Sequence, residues 1–159
     1  MTKKKSLAWQ NCSEEQLSTH LTEWLSGFAP ENTVVFLEGD MGAGKSTFVR
    51  ACLKALSPKS RSAGSPTFSL VNEYRADQGY TIYHIDLYRL KDENELQDSG
   101  IESQIEEPGA LVFVEWASLF PDYFSYWWDA SRKKMKTVIQ VRIENTDDPA
   151  KRSIHIHFQ

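Results

Sequence analysis

The sequence predicts an α/β fold with a mixed, mainly parallel central sheet and antiparallel C-terminal strands. Two short apolar runs, residues 33–38 and 110–116, are typical of strands that are buried on both faces. Segments with helical periodicity flank the first of these runs. Residues 136–145 and 152–158 alternate between apolar and polar side chains around a turn, as antiparallel strands do. Strands interleaved with helices, followed by a hairpin, indicate the α/β class.

The first predicted helix begins at a capping box. Ser13 is the expected N-cap, and Gln16 stands at the third helical position, where its side chain can bond back to the cap. The apolar residues that follow recur at helical spacing: Leu17, Leu21, Trp24, Leu25 and Phe28. The helix is expected to end before Pro30, because a residue that precedes a proline avoids helical dihedral angles. One apolar face of this helix should therefore lie on the core.

A glycine-rich segment separates the first buried strand from the next helix, residues 45–56. Gly39, Gly44, Lys45 and Ser46 fit the pattern G-x-x-x-x-G-K-[ST] of a phosphate-binding P-loop. Glycine permits the backbone angles that aim several N–H groups at one anion, and the helix N-terminus adds partial positive charge. Lys45 is expected to contact the β and γ phosphates, and Ser46 the magnesium that bridges them. The segment predicts a P-loop NTPase-like three-layer fold.

Two acidic residues are candidates for the carboxylate that orients magnesium. Glu115 ends the second apolar run, at the edge where open α/β sheets bind ligands. Asp86 follows His84 on one face of the predicted strand 80–88, a spacing that suits a pair that orients water. We assign Glu115 to magnesium and Asp86 to the attacking water or the outer coordination sphere, and the two roles can be exchanged. The alternatives are a water-facing Glu115 and a purely structural Asp86.

The remaining elements follow from turn and cap signals. Residues 68–75 are predicted to form a strand that pairs with residues 80–88 across a short turn. Asp92 and Glu95 form a second candidate capping box, and Gly100 is expected to end that short helix.

Three further features have weaker signals. Thr67 lies in the loop where several P-loop proteins place a hydroxyl that senses the γ-phosphate, although it can equally be a plain strand start. His155 and His157 alternate with isoleucines and are expected to lie on a solvated strand face rather than to bind a metal. The aromatic segment 123–128 favours a core or a protein-docking role over stacking on nucleic-acid bases.

Composition restricts the class of protein. The 159 residues suffice for one domain, residues 1–159, and the hydrophobic content of 40% is typical of a globular chain. A net charge of −4 disfavours direct binding to nucleic acid, which usually needs a basic surplus. Cys12 and Cys52 are too far apart for a C-x-x-C pair, so free thiols in a reducing cytoplasm are expected. No segment predicts a secretory signal or the ~20 apolar residues of a membrane span.

Four motifs together carry a specific resemblance to a known family. They are GDMGAGKSTF at 39–48, SPTF at 65–68, HIDLYRL at 84–90 and VEW at 114–116. Their order and approximate spacing resemble those of the bacterial TsaE family, small ATPases of tRNA threonylcarbamoyladenosine biosynthesis. The resemblance extends from about Asn11 to Trp116 and fades beyond it. Ser46 stands where threonine is more usual, a change that keeps the hydroxyl.

The resemblance implies a cytoplasmic ATPase that binds ATP or ADP with Mg²⁺ and is slow alone. Its partners, proteins of the TsaB and TsaD types, would transfer the threonylcarbamoyl group to adenosine 37 of tRNAs that read codons beginning with A, so tRNA would be reached through them. By position, the resemblance implies these nucleotide-binding residues: Asn11 (near adenine), Gly39, Gly42, Ala43, Gly44, Lys45, Ser46 and Thr47. It implies Ser46 and Glu115 as magnesium ligands and Asp86 as a residue that supports hydrolysis. Together with the assignments made above from the motifs, the candidate catalytic residues are Asp86, Glu115, Lys45 and Thr67.

Two other functions fit a P-loop. A small kinase would transfer the γ-phosphate to a metabolite, but the sequence offers few basic loops for the arginine-bearing lid such kinases use. A nucleotide-gated binding module would use ATP or ADP occupancy to set its affinity for a partner. The NKxD element with which GTPases bind guanine is absent, which favours adenine.

Overall fold

The computed structural model describes residues 6–57, 69–128 and 136–159. Seven strands form one sheet: β1 (Ser6–Ser13), β2 (Thr33–Glu38), β3 (Val71–Arg75), β4 (Thr81–Asp86), β5 (Leu111–Glu115), β6 (Thr137–Asn145) and β7 (Lys151–Phe158). Their order is β1-β7-β6-β2-β5-β4-β3. The pairs β6–β2, β2–β5 and β5–β4 are parallel, and the other three are antiparallel. Only β3 and β7 therefore run against the common direction of the described strands, which confirms the predicted mixed, mainly parallel sheet.

Helices cover both faces of this sheet. They are α1 (Glu14–Ser26), α2 (Lys45–Leu56), α3 (Glu93–Asp98), α4 (Glu102–Glu106) and α5 (Pro121–Phe124), with 3-10 segments at Ala117–Leu119 and Ser125–Trp128. The helices α1 and α2 bury their apolar residues in one hydrophobic cluster with one face of the sheet. The shorter α3, α4 and α5 bury theirs in a second cluster on the opposite face. Three layers result, as the sequence predicts.

The predicted caps and boundaries are largely confirmed. The Ser13 hydroxyl accepts a hydrogen bond from the Gln16 N–H at 3.3 Å, and the Gln16 side chain accepts one from the Ser13 N–H at 2.9 Å. Asp92 accepts a bond from the Glu95 N–H, but the Glu95 side chain bonds to Lys91 instead of closing the box. Gly100, just after α3, has a φ of 71°, as a glycine that ends a helix often does.

Strand β1 was not predicted, and a bulge explains why. Trp9 pairs with Ile154 and Cys12 with Arg152, so β1 has one more residue than β7 over this stretch. Asn11, within the bulge, has a φ of 50°. The two buried side chains, Trp9 and Cys12, are thus three positions apart, which breaks the period of two by which a half-buried strand is recognised.

The aromatic segment after β5 contributes to the core. Phe124 and Trp127 are buried, and both rings contact Phe36 of β2, with centroid distances of 5.6 and 6.3 Å. The core interpretation of this segment is therefore confirmed for these residues.

Both cysteines are free, as expected from their spacing, and the structure shows that both are buried. Within residues 6–57, 69–128 and 136–159, none of the helices combines the length and apolar character needed to cross a bilayer.

Candidate functional site

The loop between β2 and α2 has the backbone conformation that its glycines predict. Gly39, Gly42 and Gly44 all have positive φ, at 151°, 76° and 107°. A Cβ on Gly39 would lie 2.4 Å from the Ile143 carbonyl oxygen of β6, so the loop passes too close to this strand for any side chain. The buried Ala43 is held from behind, because Nε of Arg152 donates to its carbonyl at 2.9 Å. Strands β6 and β7 thus fix the shape of the loop.

Lys45, the first residue of α2, turns its ammonium back into the loop. Nζ donates to the carbonyl oxygens of Gly39 and Asp40 at 2.6 and 2.9 Å, and it lies 3.9 Å from the centroid of the Trp116 ring. Burial lowers the pKa of Lys45 below its ordinary value, while the carboxylates of Glu115, Asp86 and Asp40 oppose the shift. The charge that the sequence assigns to phosphate recognition is therefore placed inside the glycine loop.

Glu115 is buried and connected to the loop helix. Its side chain, at the end of β5, is 3% exposed. The Ser46 hydroxyl in the first turn of α2 donates to Oε1 of Glu115 at 2.8 Å, and Nε2 of His84 lies 2.6 Å from the same oxygen. The alternative of a strand-end glutamate that faces water is therefore wrong.

Asp86 lies beside Glu115 because β4 and β5 are parallel and these two residues pair in register. Its carboxylate accepts a hydrogen bond from the Tyr88 N–H at 3.1 Å. His84, which shares a strand face with Asp86, contacts Glu115 through Nε2, and the role of the two residues as a pair that orients water stays a prediction. Both carboxylates end neighbouring strands at the carboxyl edge of the sheet. The strand end was predicted for Glu115, whereas Asp86 was expected inside a strand of residues 80–88.

These residues line one pocket of about 390 Å³. Its lining includes seven of the predicted residues: Gly42, Gly44, Lys45, Ser46, Thr47, Asp86 and Glu115. Met41, Tyr88 and Trp116 also line it. Trp116 has a left-handed conformation, with φ 65° and ψ 25°, and its ring packs on Tyr88 with a centroid distance of 5.0 Å.

The other predicted site residues lie elsewhere. Gly39 and Ala43 shape the loop from behind rather than line the pocket. Asn11 is exposed in the β1 bulge, next to Cys12, which pairs with the Arg152 that holds the loop. Thr67 and its SPTF motif lie outside the described residues. The roles of all these residues remain predictions.

Three contributors to the site were not assigned by sequence reasoning. Trp116 directly follows Glu115, a predicted site residue. Its place in the sequence could therefore have indicated that its ring lies near Lys45. Arg152 reaches the loop from β7, more than a hundred positions away, and nothing in its local sequence indicates this. The bond between His84 and Glu115 joins two strands whose adjacency the sequence does not specify.

The residues present fit a magnesium ion. Mg²⁺ prefers oxygen ligands and is commonly bound through one or two carboxylates together with substrate phosphates. The pocket brings the Ser46 hydroxyl and the carboxylates of Glu115 and Asp86 to one edge. In the described part of the chain, no three His, Cys, Asp or Glu side chains converge on a common metal position. A hydroxyl and two carboxylates suit a magnesium ion that also takes oxygens from a bound phosphate.

A second depression, of about 410 Å³, lies on the polar face of β6 and β7. Its lining residues are Gln140, Arg142, Glu144, His155 and His157. His155 lies 3.5 Å from Glu144, and His157 is exposed, while the intervening Ile156 is buried. The alternation predicted for this strand is confirmed.

Comparison with known proteins identifies relatives over most of the chain. Residues 12–154 match the profile of a family described as "Threonylcarbamoyl adenosine biosynthesis protein TsaE". A Rickettsia conorii protein named tRNA threonylcarbamoyladenosine biosynthesis protein TsaE is 37% identical over 107 residues, 67% of this chain and 59% of that protein. A Bacillus subtilis protein of the same name is 36% identical over 118 residues, 74% of this chain and 71% of its own length. The match to the Rickettsia protein thus covers less than two thirds of its length.

Among solved structures, a crystal structure of Bacillus subtilis YdiB is similar over nearly the whole fold. The TM-score is 0.64 at 25% sequence identity, and the match covers 99% of this chain and 88% of the other. The likeness includes the C-terminal hairpin, which lies beyond the residues where the sequence motifs are dense.

Proposed function

Because this chain belongs to the TsaE family of threonylcarbamoyl adenosine biosynthesis proteins, we propose that it is an ATP-binding and ATP-hydrolysing component of that pathway. In this proposal it is required for threonylcarbamoylation of adenosine 37 in tRNAs that read codons beginning with A. Proteins of the TsaB and TsaD types carry out the transfer, and hydrolysis by this chain is slow until they are present.

The observation that carries the proposal is the hydrogen bond from the Ser46 hydroxyl to Oε1 of Glu115. It joins the first turn of the loop helix to the end of a central strand, two positions that are 69 residues apart. P-loop NTPases use such a hydroxyl and an acidic residue on a neighbouring strand to hold magnesium at the phosphates. Ser46 and Glu115 are therefore the residues that would hold the ion.

The chain's own groups have separate tasks in this proposal. Backbone N–H groups of residues 42–47 bind the phosphate oxygens, since the helix N-terminus favours negative charge there. Lys45 releases its loop carbonyls and donates to the β and γ phosphates, which neutralises charge on the leaving group. Asp86 accepts a hydrogen bond from the attacking water and orients it. When bound, magnesium would supply further charge neutralisation at the phosphates.

The proposed partners agree with the charge of the chain. A net charge of −4 gives little attraction to a polyanion, so contact with tRNA is proposed to occur through the partner proteins. The pathway modifies cytoplasmic tRNA, and a cytoplasmic location is part of the same proposal.

Reconstitution tests the proposal directly. Purified chain would be combined with ATP, magnesium, the TsaB- and TsaD-type proteins, the threonylcarbamoyl donor and unmodified tRNA, and the nucleosides would be analysed by mass spectrometry. We expect modified adenosine to accumulate only when this chain and ATP are both present, with release of free phosphate. Modification that proceeds equally well without the chain would refute the proposal.

The same reaction separates the alternatives. A small kinase would yield a phosphorylated acceptor in place of free phosphate. A nucleotide-gated module would still support modification when Asp86→Asn binds ATP but does not hydrolyse it.

A further inference from the structure

We infer that His84 is a positioning residue, which holds the Glu115 carboxylate in the geometry that the nucleotide site requires. The inference rests on the proposed function, because it adds a residue to the same site. It gives His84 a role toward Glu115 that is distinct from the role in orienting water that the sequence suggests for His84 and Asp86.

The contact is short and has a defined direction. Nε2 of His84 lies 2.6 Å from Oε1 of Glu115, and the Ser46 hydroxyl donates to the same oxygen at 2.8 Å. An ionised carboxylate can only accept hydrogen bonds, so the imidazole donates from Nε2. Within the described residues, these two donors are the hydrogen-bond partners of the Glu115 side chain, and both bond to Oε1.

Because the Glu115 carboxylate is buried, its position depends on its hydrogen-bond donors, Ser46 and His84. The side chains of Glu115 and His84 are 3% and 13% exposed, so little water is available to replace a lost donor. A glutamate has several rotatable bonds, and a single anchor from the freely turning Ser46 hydroxyl restricts it weakly. The imidazole adds a second anchor on a rigid strand, which fixes the direction in which Oε2 points.

The register of the sheet places Asp86 and His84, both on β4, differently relative to Glu115. On β4, Asp86 pairs with Glu115 and His84 pairs with Phe113, so His84 reaches its partner diagonally. Side chains two positions apart share a face of the strand. Asp86 lines the pocket, whereas His84 does not and instead contacts Glu115. His84 therefore supports the site without contacting a ligand.

Three substitutions of His84 test this role. His84→Gln places an amide N–H where Nε2 lies, His84→Asn has an amide that is too short to reach Glu115, and His84→Leu has no donor. His157→Leu is the matched control, because His157 is also a strand histidine but lies on the exposed polar face of β7.

Affinity for a non-hydrolysable ATP analogue would be measured by calorimetry, with magnesium and with EDTA. In His84→Asn and His84→Leu, we expect the factor by which magnesium increases the affinity for the analogue to fall at least tenfold. Their affinity in EDTA should stay within twofold of that of the wild type. In hydrolysis they should lower kcat at least tenfold and change KM little. His84→Gln should recover most of both losses, and His157→Leu should match the wild type.

The protonation of the His84 ring can be measured in the absence of nucleotide. In the free protein, ¹⁵N NMR should show a protonated Nε2 on His84 whose resonance shifts in Glu115→Ala and not in His157→Leu. An unprotonated Nε2 would contradict the donor role.

The outcomes separate this inference from the proposed function. If the wild type shows magnesium-dependent binding and hydrolysis but His84→Asn and His84→Gln behave alike, the positioning role is wrong and the proposed function stands. This comparison decides the matter even if His84→Leu does not fold. If the wild type neither binds nor hydrolyses ATP, both proposals fall together.

Discussion

Lys45 is the residue on which phosphate binding should depend most directly. Its ammonium is already desolvated and lies within the glycine loop, held by two carbonyls and the Trp116 ring. Lys45→Ala removes a charged hydrogen-bond donor, so we expect ATP binding to weaken by about 1.5–3 kcal/mol. Calorimetry measures this, with Lys54→Ala, an exposed lysine at the other end of the same helix, as the control. Unchanged affinity in Lys45→Ala would mean that the phosphates bind elsewhere.

Substitutions of Glu115 and Asp86 should have different effects on magnesium-dependent nucleotide binding and on hydrolysis. The Glu115 carboxylate accepts a hydrogen bond from the Ser46 hydroxyl, whereas Asp86 lines the pocket and its carboxylate accepts one from the Tyr88 N–H. We therefore expect Glu115→Gln to lose the gain in nucleotide affinity that magnesium provides. Asp86→Asn should keep that gain and lower kcat by about 10²–10⁴-fold, the usual contribution of a general base. The reverse pattern, in the same calorimetric and phosphate-release assays, would show that the two roles are exchanged.

At the scale of elements, the strand–loop–helix unit depends on a close backbone approach. A Cβ on Gly39 would meet the Ile143 carbonyl oxygen at 2.4 Å, whereas a Cβ on Gly42 would meet nothing within 4 Å. Both residues have positive φ, so alanine is strained at either position. Because only Gly39→Ala also forces β6 to move, we expect it to reduce the free energy of unfolding by about 1–3 kcal/mol more than Gly42→Ala does. Urea denaturation compares the two, and equal losses would contradict the close approach.

At the scale of the whole molecule, a buried lysine should make stability depend on pH. Lys136, which directly precedes β6, is 4% exposed, and its ammonium donates to the Ala110 carbonyl beside β5. Burial lowers the pKa of Lys136 from 10.5 to about 8. Between these values the unfolded chain binds more protons than the folded one, so the contribution of Lys136 to stability rises with pH.

Comparison with Lys136→Met isolates this contribution, because other titrating groups cancel in the difference. The Ala110 carbonyl also accepts a bond from the Thr33 N–H, so the substitution does not leave it unpaired. From about pH 8 to pH 10, we expect the free energy of unfolding of the wild type to rise relative to that of the variant, by on the order of 1–3 kcal/mol. Urea denaturation at several pH values measures the difference. A difference that stays constant would show that Lys136 titrates normally.

Several elements could be predicted from local sequence signals alone. The capping box at Ser13 is satisfied by contacts three residues apart, and the loop of residues 39–46 depends on which dihedral angles glycine permits. The apolar runs of β2 and β5 are continuous because both faces of these strands are covered. The position of Glu115 at a strand end likewise followed from its own neighbours. Such features need no knowledge of distant residues.

The order of the strands and the partners of the site residues could not be predicted from local signals, because they depend on contacts between distant segments. His84 binds Glu115 rather than Asp86 because β4 lies beside β5, and Arg152 holds the loop because β7 returns past it. The bulge in β1 removed the alternation that identifies a strand, so only its pairing with β7 reveals it. The physical reason is common to all three: packing and hydrogen bonding between segments far apart in sequence select these contacts, and no local propensity encodes them.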